Sequence, residues 1–190
     1  MKVIKYALLF MMMLVLPAAA GTLTEEQEGF VNNKTTLYTQ VGMWYEFNKR
    51  SKYNQTVSTN YSVGMYIPPN SEIVLTDDYN SKGIFFTYQG DKVLLQNIAK
   101  YSKVSVAELV ARTFGPNKVN LSAFSKERRE QIMSGKVEVG MSKEAVRISR
   151  GYPPAHMTPT LERDSWKFWE NRWNTTLVNF KEGKVSEIIH

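Results

Sequence analysis

Cysteine is missing from all 190 residues, which excludes disulfides, cysteine-ligated zinc and iron–sulfur centres, a thiol nucleophile and an N-terminal lipid-bearing cysteine. Histidine is nearly as scarce. The two present, His156 and His190, are too few for most metal sites. A charge excess is lacking too: 24 basic residues against 18 acidic ones give +6. The signs interleave, as in the run from Lys126 to Glu130, whereas a nucleic-acid binder concentrates its basic residues on one face. Nucleic acid, metal and cofactor are therefore not expected as partners. No long apolar run follows the first 20 residues, so no membrane span is expected after them.

Those first residues place Lys2 and Lys5 ahead of an apolar run from Ala7 to Leu16, then Pro17 and the small residues Ala18, Ala19 and Ala20. This is the order of a secretory signal peptide, and the run is well short of the roughly 20 residues that span a bilayer. Residues 1–20 are read as a cleaved signal, leaving a chain from Gly21 with 22 basic and 18 acidic residues, +4. Export without cysteine favours a Gram-negative periplasm over an animal extracellular space. In that setting the Asn-x-Ser/Thr patterns at Asn33, Asn54, Asn60, Asn120 and Asn174 are polar loops and strands.

Residues 21–34 are polar and read as a flexible lead-in or a short helical turn. From Thr35 to Ile98 the pattern becomes short runs of β-branched and aromatic residues: Leu37, Thr39, Val41, Met43 and Tyr45 alternate, as do Tyr61, Val63, Met65 and Ile67. Turn residues separate them at Pro68 to Ser71, Asp77 to Gly83 and Gln89 to Asp91. Five short strands in a small antiparallel barrel or strongly twisted sheet are predicted, with Asn48 to Thr59 as the longest loop. Ser105 and Glu108 form a capping-box pattern for a helix that stops at Gly115 and Pro116, closing a β-rich domain over 35–121.

A second domain, 122–190, reads as helix, helix, strand, strand, strand. One helix runs from Ser125 to Gly135, and another from Ser142 to Gly151, with Met141 and Val146 placed as a hydrophobic staple. Three prolines then force 152–159 into an extended loop. Strands follow over 165–173, 175–180 and 184–189. The prediction is α+β, with two helices on a three-stranded antiparallel sheet.

Ile132, Gly135, Val137, Gly140-Met141-Ser142 and Val146, followed by Gly151-Tyr152-Pro153, an aromatic strand from Trp166 and Val178-Asn179-Phe180, give a pattern that resembles the SmpA/OmlA (BamE-like) family. The likeness spans residues 125–190. It implies a non-enzymatic module of the cell envelope that binds an envelope protein and serves outer-membrane assembly. The same unit resembles the repeats of secreted β-lactamase-inhibitory proteins, so an enzyme-inhibitor role is an alternative. Members of the family begin with a lipidated cysteine where Gly21 stands here, so no lipid anchor is expected. The front half loosely resembles a bacterial Src-homology-type small β-barrel, which implies binding of cell-wall glycan or peptide as a further alternative.

No catalytic constellation is read. His156 has no nucleophile-elbow motif to serve, and Asp77-Asp78 reads as a turn. Along the aromatic strand Trp166 and Phe168 share one face, assigned to the core, while Trp169 and Trp173 take the other beside Arg172. That outer face is either an interaction patch or a surface covered by the front domain. Tyr152 and His156, in the proline-rich loop, are either contact residues or part of a spacer. Tyr152, His156, Trp169, Arg172 and Trp173 are the candidate partner-binding residues. Trp44, Tyr45, Tyr61, Tyr66 and Tyr79 either fill the front core or line a ligand groove.

Overall fold

Alternation of buried and open side chains carries the front half into a sheet, and the computed structural model, which describes residues 23–190, shows how it is wound. Helix α1 (Glu25–Asn32) leads into β1 (Thr36–Thr39), β2 (Met43–Asn48), β3 (Tyr53–Val57), β4 (Met65–Ile67), β5 (Glu72–Asn80), β6 (Gly83–Tyr88) and β7 (Asp91–Gln96). Helices α2 (Ala99–Ser102) and α3 (Val106–Thr113) and the two-residue β8 (Phe114–Gly115) complete this part. The rest comprises α4 (Lys126–Met133), α5 (Lys143–Arg150), β9 (Ser165–Trp169), β10 (Thr175–Lys181) and β11 (Lys184–Ile189). The signal-peptide reading lies outside the described residues. Among those, no helix is long and apolar enough to cross a membrane.

The fold is α+β. A curled eight-stranded sheet has the order β4-β2-β3-β7-β6-β5-β1-β8, and a separate three-stranded sheet the order β11-β10-β9. Several front-half expectations are corrected. The segment read as one long loop, 48–59, contains β3, which pairs in parallel with β7 through Asn54↔Val93 and Thr56↔Leu95, so the sheet is not wholly antiparallel. The alternating run 37–45 is two strands broken at Gln40–Gly42, and the run 61–67 is strand only over β4. Residues 25–32, read as a flexible lead-in or a short helical turn, form an eight-residue helix whose Thr24 and Gln27 make a reciprocal capping box.

Two apolar clusters form. In the first, Leu37, Ile67, Ile84, Phe86 and Val93 of the large sheet pack with Val31 of α1 and Val106, Leu109 and Val110 of α3. In the second, Ile132, Met141, Val146 and Ile148 meet Trp166, Phe168, Val178 and Phe180 of the small sheet. Helix α5 owes its place to Ser142, whose side chain caps the Ala145 N–H, and to the predicted staple, since Met141 and Val146 are fully buried.

Candidate functional site

Every α-helix ends with carbonyls that its own backbone leaves unpaired. At the end of α5 the front half supplies their donors. The Gly42 N–H donates to Ile148 O at 2.7 Å, and Asn60 Nδ2 donates to Arg150 O at 2.7 Å and to Gly42 O at 3.0 Å. The Tyr66 hydroxyl lies 2.9 Å from Ser149 O and 3.2 Å from Ile132 O, with one proton to give to either. A Cβ at position 42 would collide with Ser149 O and the Tyr66 hydroxyl, so only glycine lets the chains approach this closely.

The Arg150 side chain crosses the same seam and is only 4% exposed. Its Nη1 donates to Asn60 O at 3.0 Å, and Nη2 faces Ser62 Oγ and Trp169 O, each at 3.0 Å, and Glu170 Oε1 at 3.2 Å. The guanidinium rests over the Trp44 ring, 4.5 Å from its centroid, with Phe168 at 5.4 Å. Burial pulls Arg150 below its ordinary pKa, and the Glu170 carboxylate opposes that. Burial likewise pushes the Tyr66 phenol up against the Arg150 charge, so it stays protonated and able to donate.

Burial alone would raise Glu170, but a hydrogen bond from Ser62, the Arg150 charge and a hydrogen bond from Thr176 together hold it below the usual carboxylate range. A carboxylate depressed on folding contributes stability that is present above its unfolded pKa and lost as pH falls through the folded one. Acid should therefore begin to weaken the seam just below pH ~4.3, the ordinary glutamate value. In Glu170→Gln the acid limb of a stability-versus-pH curve should flatten; an unchanged limb would show that Glu170 carries none of it.

Of the predicted binding residues, Tyr152, His156 and Trp169 lie along this seam. Tyr152 leaves α5 and lies under two guanidinium groups, Arg112 at 5.1 Å and Arg147 at 5.5 Å from its ring centroid. The His156 ring is half-buried between Tyr101, 4.6 Å away, and Trp169, 6.3 Å away, and the His156 backbone N–H donates to Tyr101 O at 3.1 Å. Trp169 is half-buried too, covered by Tyr61 of the front half at 6.4 Å. The proline-rich loop is thus docked on α2 rather than free, and Thr158 fastens its far end by accepting from the Lys167 N–H at 3.0 Å.

Arg172 and Trp173 stand apart from this packing. They occupy the β9–β10 turn, where Asn171 Oδ1 accepts from the Trp173 and Asn174 N–H groups at 2.8 and 2.9 Å and the Glu170 N–H donates to Asn174 O at 2.8 Å. Trp173 is 82% exposed, the most open large apolar side chain among the described residues. The Arg172 guanidinium lies 6.0 Å from its ring.

Of the front aromatics, Tyr45 belongs to the core, Tyr66 to the seam, and Tyr79 packs partly buried against the first cluster. Trp44 and Tyr61 line a cleft of about 70 Å³ with Glu46 and Gln55. Sequence reasoning missed Arg150, Asn60, Ser62 and Glu170. No local signal marks them, since an arginine in a last helical turn reads as an ordinary partner of the helix dipole.

Several polar groups here could suggest chemistry. Thr176 Oγ1 lies 2.7 Å from Glu170 Oε1 and 3.1 Å from His190 Nδ1 beside a cavity of about 140 Å³. Its single proton is shared between those neighbours, and Thr176 is only 5% exposed, so the hydroxyl is not presented to a substrate. Among the described residues no group of three or more metal-ligating side chains converges. Comparison with protein-family models, curated proteins and solved structures returns no match.

Proposed function

We propose that the chain is a non-enzymatic recognition module of the bacterial cell envelope, exported to the periplasm, that binds an envelope protein through the Arg172–Trp173 turn. The observation that carries this reading is Trp173, 82% exposed on a turn held by side-chain and backbone hydrogen bonds. Leaving a tryptophan in water forgoes the burial of a large apolar surface, and tryptophan and arginine are the residues enriched where protein interfaces concentrate their binding energy. The turn is preorganised by Asn171, so docking would order little that is not already ordered. The SmpA/OmlA-like spacing over 125–190 supports a role beside outer-membrane assembly proteins. With no cysteine to carry lipid, association with the outer membrane would run through the protein partner.

Trp173→Ala should leave the melting temperature within about 2 °C of the parent, because an exposed side chain far from special features changes stability by no more than about 0.5 kcal/mol. Recovery of envelope proteins with the purified full chain should fall at least tenfold, the loss of an anchor of about 1.4 kcal/mol or more. Unchanged recovery by the alanine variant would remove Trp173 from the interface.

A further inference from the structure

From Phe47 to Ser71 the chain carries three cations, Lys49, Arg50 and Lys52, and no carboxylate. All three stand exposed on the turn between β2 and β3. Among the described residues none of them makes an ion pair. The turn is held without their side chains: Asn48 Oδ1 accepts from the Arg50 and Ser51 N–H groups at 2.9 and 3.2 Å, and the Lys52 N–H donates to Asn48 O at 2.8 Å. A fixed backbone thus presents three charges that the fold does not use.

Apolar surface is left open beside them. Phe47 is 56% exposed and Met65 55%, and among the described residues only Trp173 and Val139 are more open large apolar side chains. Met65 is the register partner of Tyr45, with Sδ 3.8 Å from the Tyr45 hydroxyl, and Phe47 follows Tyr45 by two residues along β2. Side chains two apart on a strand share a face. Phe47 and Met65 are therefore diagonal neighbours, about 7–8 Å apart, at the end of the sheet that bears the turn. There β4 is the outermost strand, so no further strand flanks Met65. Of the flanking carboxylates, Glu46 projects to the opposite face, and Asp91 accepts from the Tyr45 hydroxyl at 3.1 Å. Phe47, Met65 and the three cations border neither cleft at the seam.

Charge and shape specify the occupant. Cations on a turn, and not around a recess, meet anions one at a time, which suits a surface of many separate anionic groups rather than one small ion. Long lysine and arginine side chains reach such groups while their stems cover apolar surface. A phenylalanine and a methionine at the same end can then enter the apolar layer beneath. Apolar burial combined with attraction to anionic headgroups holds a protein at a bilayer surface without crossing it.

We propose that the β2–β3 turn docks on an anionic lipid bilayer, with Lys49, Arg50 and Lys52 on the headgroup phosphates and Phe47 and Met65 inserted among the upper acyl carbons. It goes beyond the Trp173 reading, which brings the chain to the membrane only through a protein, and stands or falls separately from it.

The test is co-sedimentation with lipid vesicles of the chain from Gly21, which holds every described residue. Vesicles of phosphatidylglycerol and phosphatidylcholine should bind it in low salt, and vesicles of phosphatidylcholine alone should bind it at least tenfold more weakly. Lys49→Gln, Arg50→Gln and Lys52→Gln together should weaken binding to the anionic vesicles about a hundredfold, at about fivefold for each charge near the surface. Phe47→Ser with Met65→Ser should weaken it about tenfold, and Trp173→Ala should bind as the parent does. If the serine variant fails to fold, the glutamine variant decides. No binding at millimolar lipid, equal binding to neutral vesicles, or unchanged binding of the folded glutamine or serine variant would overturn the proposal. So would an equal loss in Trp173→Ala, or binding to immobilised polyglutamate as tight as to the anionic vesicles, the last in favour of an acidic protein.

Discussion

Arg150→Met is expected to lower stability by about 3 kcal/mol, the lower end of the loss when one partner of a buried ion pair is removed. The melting temperature should then fall by roughly 6–12 °C for a chain of this size. Methionine can keep the apolar contact with Trp44 and Phe168, but Asn60 O and Trp169 O then lose the Arg150 donor and Glu170 Oε1 keeps only the Thr176 hydroxyl. The lower end is appropriate because the Glu170 side chain is 35% exposed and water can repair part of the loss. The form of the transition should change as well. Two separate apolar clusters are tied together by Arg150 and by the α5 carbonyls, so weakening the tie should turn one calorimetric transition into two. A loss below 1 kcal/mol with a single transition would show that the seam is held by something other than Arg150. The double variant with Glu170→Gln should cost less than the two single losses combined, because both residues act on one network.

Trp166→Ala is expected to cost about 3–5 kcal/mol, the range for truncating a large buried aromatic residue. Trp166 is 1% exposed and meets Phe180 at 4.9 Å and Phe168 at 6.3 Å between ring centroids. It holds the small sheet against α4 and α5, so the loss should appear in the second half of the chain. Trp166→Phe should cost much less than the alanine change. The indole Nε1 has no hydrogen-bond partner among the described residues, and removing a buried unpaired N–H returns about 1–3 kcal/mol against the volume lost. Equal effects of the two substitutions, measured by urea denaturation, would contradict that packing.

The second half of the chain was legible because its signals are local. Ser125 and Ser142 cap α4 and α5 as their positions predict, Gly151 ends α5, and the pairing of Trp166 and Phe168 on one face puts both in the core. The front half resisted where distant residues decide. The break at Gln40–Gly42 exists because Gly42 must lie against the end of α5, more than a hundred residues away in sequence. Strand β3 hides in Tyr53–Val57 because four of its five residues are only half-buried, which leaves little apolar alternation, and its parallel partner is β7. Helix α1 was read only as a lead-in or a short helical turn, although Thr24 and Gln27 carry its capping signal, because it buries only Gln27 and Val31 fully.

The candidate site divides in the same way. Trp173 was read on the outer face of a strand over 165–173; it is open, but β9 ends at Trp169 and Trp173 lies in the turn beyond it. Trp169 ends β9, and Tyr61 and His156 cover it, an outcome fixed by how the two halves pack. Tyr152 and His156 lie in a loop whose prolines announce rigidity, yet its docking on Tyr101 and Arg112 depends on α2 and α3. Arg150 was invisible because burial of a charged helix end is a property of the neighbours that surround it.

The most direct test of the recognition reading is site-specific photo-crosslinking in intact bacteria, with the probe amino acid at position 173 and, for comparison, at the exposed Asn120. The account predicts adducts from position 173 to an envelope protein and none to that protein from position 120. No protein adduct from position 173 in a folded variant, or the same adducts from both positions, would contradict it.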